Sequence, residues 1–171
     1  DRPEFPTSGS DISLTTEFAG TFLGGYLGDR FGKRDERWYV WLPGVATMLS
    51  LPFSTFVYLW GEPYQALWVL SISYFLGAYY LGPTFSMTQG MVGLRMRALA
   101  ASISLFILNI IGLGAGPWVV GVLSDFLAPS LGVESLRYAM LYTLPPVMTW
   151  SAFHYWLAGR SLREDIARAP R

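Results

Sequence analysis

Long apolar stretches, separated by short charged connections, dominate this chain. No Asp, Glu, Lys, Arg or His occurs within residues 38–61, 63–94 or 98–124. An α-helix rises about 1.5 Å per residue, so about 20 apolar residues cross the hydrocarbon core of a bilayer. We therefore predict an all-α membrane protein with five transmembrane helices. The predicted spans are about 12–28, 38–60, 66–88, 99–124 and 138–158.

The basic residues lie on alternate connections between these spans. Residues 30–37 carry four of them, residues 95–97 carry two and the tail 159–171 carries four, whereas residues 125–137 carry one. Lys and Arg are enriched in short cytoplasmic loops. We therefore expect those three segments, including the C-terminal tail, to be cytoplasmic in an integral protein of the cell or inner membrane.

The odd number of spans predicts an incomplete six-helix bundle within one domain, residues 1–171. The polar start, residues 1–11, contains Pro, Gly and Ser and does not begin with Met. We expect this ragged start to be a cut or processed end. The missing helices would then belong to another part of a longer protein.

Composition narrows the function classes. Of the 171 residues, 52% are hydrophobic and 14% are charged, whereas soluble domains carry about 25% charged residues. Twelve basic and twelve acidic residues cancel, so no net charge favours nucleic acid as a partner. With no Cys, one His and no paired acids in the spans, we expect no enzyme activity, metal site or cofactor.

The segment 25–34 has the most specific pattern in the chain. It reads Gly-Tyr-Leu-Gly-Asp-Arg-Phe-Gly-Lys-Arg and ends the first apolar stretch. A plain cytoplasmic loop explains the basic residues but not the positions of the Gly and Asp residues. Asp29 is expected to accept hydrogen bonds from backbone N–H groups or from an arginine, and the basic residues to bind acids or anionic lipid headgroups. The candidate residues are Gly25, Asp29, Arg30, Gly32, Lys33 and Arg34.

Small residues and prolines indicate close packing and kinks. Glycines recur every four residues in the first span, a pattern that brings helix backbones together. In the fourth span, Ser102, Asn109 and two glycines share one face. Proline removes a backbone donor and bends a helix. The candidate packing or kink residues are Gly20, Gly24, Gly28, Gly82, Pro83, Gly112, Gly116 and Pro117.

A few polar or aromatic side chains within the spans are candidates for lining a cavity. Glu17 is either an ion-coupling carboxylate or a solvated acid near the outer interface. Asn109 either contacts substrate or makes an interhelical hydrogen bond. Tyr79, Tyr80 and Thr84 flank the Gly82-Pro83 pair and either line a cavity or pack. Other aromatic residues at span ends are typical of a membrane-interface belt; they include Trp38, Trp41, Tyr142, Tyr155 and Trp156.

The chain resembles the C-terminal half of a major facilitator superfamily transporter. Segment 25–34 is similar to the loop signature G-x-x-x-D-R-x-G-[RK]-[RK] of that superfamily. The runs 95–102 and 109–117, together with Gly82-Pro83-Thr84, resemble its spinster-like branch. The resemblance implies that the five spans are helices eight to twelve of twelve.

The resemblance also implies a function. That function is alternating-access transport of a small organic or lipid-like solute, with the missing N-terminal half and membrane lipids as partners. A proton gradient is one driver that such a transporter would use. The alternative is a truncated membrane protein or scaffold without transport activity of its own.

Overall fold

A computed structural model describes residues 9–60 and 63–168. The first eight positions of the expected ragged start, and residues 169–171 of the expected tail, lie outside the described residues. All regular structure in the described ranges is helical, in agreement with the predicted all-α class. No strand occurs in those ranges.

Seven α-helices are joined by short irregular turns within the described ranges. The first three are α1 (Gly9–Gly32), α2 (Trp38–Leu59) and α3 (Pro63–Gly77). A 3-10 turn, Ala78–Tyr80, connects α3 to α4 (Leu81–Gly90). A second 3-10 turn, Leu94–Met96, leads into α5 (Arg97–Ile107), and a π-helical segment, Leu108–Ala115, connects α5 to α6 (Gly116–Leu131). A third 3-10 turn, Gly132–Glu134, leads into α7 (Ser135–Arg168).

Several helices are longer than the predicted apolar spans. Helix α1 continues to Gly32, so the expected loop at 25–34 is helical for most of its length and only residues 33–37 connect α1 to α2. Helix α6 continues to Leu131 and α7 begins at Ser135, which leaves a much shorter connection than the predicted 125–137. The apolar pattern reports where a helix meets lipid, and a helix can continue into the polar interface.

Two of the prolines expected to disturb a helix, Pro83 and Pro117, lie beside an irregular segment, whereas Pro145 and Pro146, expected to kink the fifth span, lie inside α7 without a change of helix type. Pro83 follows the 3-10 turn Ala78–Tyr80, and Pro117 follows the π-helical segment Leu108–Ala115. Gly132 ends α6 with a φ of 54°, a left-handed conformation that glycine adopts without a steric cost. The chain reverses there, and Ser124 and Ser135 hydroxyls lie 3.1 Å apart across the resulting hairpin.

Two described stretches have both the length and the apolar composition needed to cross a membrane, Trp38–Leu59 and residues 94–168. The second stretch includes two of the predicted spans, 99–124 and 138–158. The number of five spans therefore stays a prediction.

The core lies where α2 meets its neighbours. Leu42 and Ala46 of α2 are buried with Tyr79 from the 3-10 turn, and Leu23 and Leu27 of α1 pack against this cluster. On its other side α2 packs along α7. The Ser54 hydroxyl lies 3.3 Å from the Met148 sulfur, and that of Tyr58 lies 3.4 Å from the Met140 sulfur. These contacts make α2 the central helix of the described bundle.

Candidate functional site

A cavity of about 410 Å³ with several hydroxyl groups in its lining lies among α2, α4, α5 and α7. Six of its eight lining side chains carry a hydroxyl group, and the other two are aliphatic. The lining residues are Thr47, Tyr80, Thr84, Ser104, Ile107, Leu108, Ser151 and Tyr155. None of these eight side chains is charged at neutral pH, so the surface offers hydrogen bonds without a net charge.

Two of the hydroxyl groups of the cavity are held by their own helices. Thr47 donates to the Pro43 carbonyl at 2.8 Å, and Ser104 donates to the Ala100 carbonyl at 2.9 Å. Each hydroxyl then retains oxygen lone pairs that can accept from a solute. Across the cavity, the hydroxyls of Thr84 and Tyr155 lie 3.5 Å apart, a long contact that a solute group can replace.

Two of the candidate lining residues reach this cavity and a third does not. Tyr80 and Thr84 line it. Tyr79 lies instead in the core, only 7% exposed, with its ring edge-on to Phe75 at 5.5 Å between centroids. Neighbouring residues of a helical turn point in directions about 100° apart, so Tyr79 and Tyr80 face different surroundings.

The other two candidates lie outside the cavity. Glu17 is exposed on α1. Asn109 is also exposed, and its amide nitrogen donates to the Leu105 carbonyl at 2.7 Å within its own helix. Neither residue forms a described hydrogen bond with a neighbouring helix, and the coupling role of Glu17 and the substrate role of Asn109 stay predictions.

Sequence reasoning missed the other six lining residues, which are Thr47, Ser104, Ile107, Leu108, Ser151 and Tyr155. Tyr155 was expected in the interface belt, but it lies one helical turn after Ser151 and faces the cavity with it. The spacing of these two residues is a signal that the sequence contains. The convergence of four helices on one cavity is a tertiary feature that no local pattern reports.

The signature residues form a packed helix end. Asp29 accepts a hydrogen bond from the Tyr39 hydroxyl at 3.2 Å, instead of from the expected backbone or arginine donors. Arg30 donates to the Tyr26 hydroxyl at 3.3 Å. Gly32 packs directly against the Tyr39 ring. Lys33 and Arg34 are exposed and make no ion pair within the described residues.

The glycine stripe of α1 lies against α3, α4 and the turn between them. Gly20 contacts the Phe75 carbonyl, and a Cβ at Gly24 would lie 2.7 Å from the Tyr79 Cα. A Cβ at Gly28 would lie 3.1 Å from the Pro83 ring. From the facing side, a Cβ at Gly82 would lie 3.0 Å from the Gly25 Cα. Backbones therefore touch along this interface.

The glycines of the fourth span have no such neighbours. A Cβ at Gly112 would meet nothing within 4 Å, and one at Gly116 would meet only the Ile111 carbonyl of the preceding turn. Ser102 and Asn109 on the same face are exposed. The packing expected on this face is therefore absent within the described part of the chain.

An ion pair joins the α1–α2 connection to the end of α7. Asp35 and Arg163 lie 2.9 Å apart. The backbone N–H of Arg37 donates to Asp35 at 3.0 Å, and this bond, followed by the charge of Arg163, lowers the pKa of Asp35 below its ordinary value of 3.8. Because the pKa is lowered in the folded protein, this contact contributes its full stability above the ordinary pKa of 3.8. That stability is lost as the pH falls through the lowered pKa.

Comparison with known proteins agrees with the signature and the fold. No family model matches the chain. An MFS-type efflux pump of Mycolicibacterium smegmatis is 34% identical over 152 residues, which are 89% of this chain and 35% of the relative. The chain thus spans about a third of the length of that curated relative.

Two solved structures show the same fold. Both are of a bacterial homologue of the human lysosomal transporter Spinster. In its inward-facing, occupied conformation it superposes with a TM-score of 0.72 at 25% identity, over 90% of this chain and 40% of that one. The unoccupied conformation gives a TM-score of 0.68 at 24% identity, over 90% and 39%.

The signature at residues 25–34, the helical fold and the similar proteins all indicate the same family. The curated relative is an efflux pump, and the two solved structures reported above are of a bacterial spinster homologue. The chain belongs to the major facilitator superfamily of membrane transporters and is spinster-like within it.

Proposed function

We propose that the protein containing this chain moves a small organic or lipid-like solute across the membrane by alternating access. The chain would supply helices eight to twelve of its twelve, including part of the solute pathway. The observation that carries this proposal is the hydroxyl-lined cavity among α2, α4, α5 and α7. A mainly apolar surface that carries uncharged hydroxyl groups suits a solute that has both polar and apolar parts.

Helix irregularity supports the same assignment. Short 3-10 and π-helical segments inside longer helices often mark functional sites. Tyr80 belongs to the 3-10 turn Ala78–Tyr80 and Leu108 begins the π-helical segment, and both residues line the cavity. The two irregular segments of neighbouring helices thus converge on the proposed pathway.

The cavity is tested by removing its hydroxyls from the full-length protein in proteoliposomes. We expect Tyr155→Phe and Thr84→Val each to raise KM about 2- to 10-fold, since one hydrogen bond contributes about 0.5–1.5 kcal/mol. The transported probes are ethidium and a fluorescent single-chain lipid, which represent the two solute classes. Tyr142→Phe is the matched control because Tyr142 is exposed and lies outside the cavity.

Two results would contradict the proposal. If both cavity variants carry each probe at the wild-type KM and rate, the cavity is not the pathway. If the full-length protein carries neither probe nor any other solute of these two classes, the scaffold alternative is favoured.

A further inference from the structure

A second, apolar groove lies along α2, outside the hydroxyl-lined cavity. It has a volume of about 680 Å³ and is formed by α2 and α7. Its floor contains Gly44 and Ala152, whose small side chains leave the groove open. The remaining lining residues are Trp38, Trp41, Val45, Met48, Leu49, Pro52, Phe53 and Trp156. All are apolar or aromatic, so the groove differs chemically from the hydroxyl-lined cavity.

The groove has one basic end. The Arg37 guanidinium lies 5.7 Å from the centre of the Trp41 ring, and that of Arg160 lies 4.2 Å from the centre of the Trp156 ring. Trp41 packs against Gly159, the neighbour of Arg160, which brings the two Arg–Trp pairs to the same end. Neither arginine forms an ion pair within the described residues.

This end also contains hydrogen-bond donors that lack acceptors. Arg37 Nε and Trp41 Nε1 are buried and have no hydrogen-bond partner in the described ranges. Both atoms are closed to solvent, and Trp41 Nε1 lies against Gly159, so binding of an anionic group at this end would depend on the two guanidinium groups rather than on these atoms. The nearby Asp35 is already engaged by Arg163 and by the Arg37 backbone N–H.

The charge around this end is positive. Segments 33–37 and 160–164 carry five basic and three acidic residues, which gives a net charge of +2. The acids are Asp35, Glu36 and Glu164, and Glu164 lies 3.6 Å from Arg168. An anionic group is therefore the complementary ligand.

The dimensions fit one leaflet of a bilayer. From Trp41 to Phe53 the groove follows twelve residues of α2, roughly 18 Å at the helical rise. Half of a hydrocarbon core of about 30 Å is about 15 Å. If the charged group of a ligand lies at Arg37 and Arg160, its apolar part would follow the groove over a length close to the thickness of one leaflet.

We propose that the α2–α7 groove binds one phospholipid with an anionic headgroup, whose acyl chain lies along Val45, Met48 and Leu49 and whose phosphate contacts Arg37 and Arg160. These three apolar side chains are 50–53% exposed, so no other described residue covers the surface that an acyl chain would contact. The site is separate from the solute pathway, and its occupation does not depend on which solute is carried.

The test is photolabelling of the full-length protein in membranes. The probes are phosphatidylglycerol and phosphatidylcholine with the same diazirine-labelled acyl chain, and labelled peptides are mapped by mass spectrometry. We expect labels on α2 at Val45, Met48 or Leu49, with a preference for phosphatidylglycerol. Absence of label from these positions, or equal labelling by both lipids, would overturn the proposal. Absence is also the result expected if another part of the protein covers the groove.

Variants separate headgroup from acyl-chain binding. Arg37→Gln with Arg160→Gln should remove the preference, a loss of up to roughly 30-fold for two arginines, whereas Lys at both positions should keep most of it. Arg95→Gln with Arg97→Gln is the charge-matched control and should change nothing.

Val45→Trp with Met48→Trp should close the groove to both lipids, unlike Val122→Trp on α6, an equally exposed valine. An unchanged preference in the Gln pair, or unchanged labelling at Leu49 in the Trp pair, would refute the site.

Discussion

Gly24 shows how a single missing side chain positions a residue that lines the cavity. The backbone of α1 lies on the backbone of Tyr79 at this point. Because Tyr79 packs into the core, the following residue, Tyr80, is turned toward the cavity. The close approach of the backbones at Gly24 thus fixes the rotation of the Tyr79 turn, and this rotation directs the Tyr80 side chain into the cavity.

We expect Gly24→Ala to lower the melting temperature of the purified full-length protein. The added Cβ would lie 2.7 Å from the Tyr79 Cα and 2.8 Å from its carbonyl oxygen. These are backbone atoms and cannot move aside alone. Overpacking of this kind costs about 1–3 kcal/mol, which exceeds the gain of about 1 kcal/mol from replacing a helical glycine.

Gly25→Ala is the matched control for that substitution. It is the adjacent residue of the same helix, and an added Cβ would meet nothing within 4 Å. Its melting temperature should stay unchanged or rise. If Gly24→Ala and Gly25→Ala behave alike, the close approach of α1 to the Tyr79 turn does not contribute to stability.

The glycines of α1 could be predicted to pack, but the direction of the neighbouring tyrosines could not. The four-residue spacing of Gly20, Gly24 and Gly28 is visible in the chain and predicts a flat packing face. Which of Tyr79 and Tyr80 faces a cavity depends on the rotation of the helix that contains them, and their sequence neighbourhoods are nearly the same. Tertiary contacts with α1 and α2 set that rotation.

At the scale of the element, Pro117 explains the shape of the helix before it. In an α-helix its ring would clash with the carbonyl of Leu113 and leave that carbonyl without a donor. The preceding segment is π-helical, and the Gly116 N–H bonds to the Ile111 carbonyl five residues back. A wider turn accommodates the proline, and Leu108 at its start faces the cavity.

We expect Pro117→Ala to return Leu108–Ala115 toward the α-helical register. Amide hydrogen exchange over residues 112–121 should slow, because the alanine restores a donor and removes a ring that costs about 3 kcal/mol in a helix interior. A change of register by one residue turns α6 by about 100° relative to α5. Transport of the probes should therefore fall even though the helix is more stable.

Pro129→Ala provides the comparison for that prediction. Pro129 also lies inside α6, but near its end and away from the cavity. Transport should then stay near the wild-type rate. If Pro117→Ala slows exchange and leaves transport intact, the π-helical segment is a packing irregularity without a part in the cycle.

Helix ends were less predictable than helix positions. Each predicted span lies largely within a helical stretch, because an apolar run and a helix coincide inside the bilayer. The ends differ because α1 and α7 continue past charged residues such as Asp29 and Arg160. Such residues are compatible with a helix wherever water or headgroups surround it, so charge indicates the membrane boundary better than the helix end.

At the scale of the whole molecule, the helix directions support the predicted topology. Gly20, Gly24 and Gly28 face residues 75, 79 and 83 in rising order, so α1 runs parallel to α3–α4. Along α2, by contrast, residue numbers increase while those of the contacting residues of α7 decrease. Ser54 contacts Met148 and Tyr58 contacts Met140, so α2 and α7 are antiparallel. A chain that crosses the membrane five times, with α5–α6 as its fourth crossing, has these directions.

Single cysteines would test this topology directly, because the chain contains no native cysteine. In a full-length version cleared of other cysteines, Lys33→Cys and Ser161→Cys should react with an impermeant maleimide only after the cytoplasmic face is opened, and Ser130→Cys should react in intact cells. All three residues are exposed, so a difference in labelling reports the side of the membrane and not burial. The charge alternation predicts this result, since residues 30–37 and 159–171 are basic and residues 125–137 carry a single arginine. Labelling of positions 33 and 130 from the same side would instead require an even number of crossings between them and would exclude the five-span arrangement.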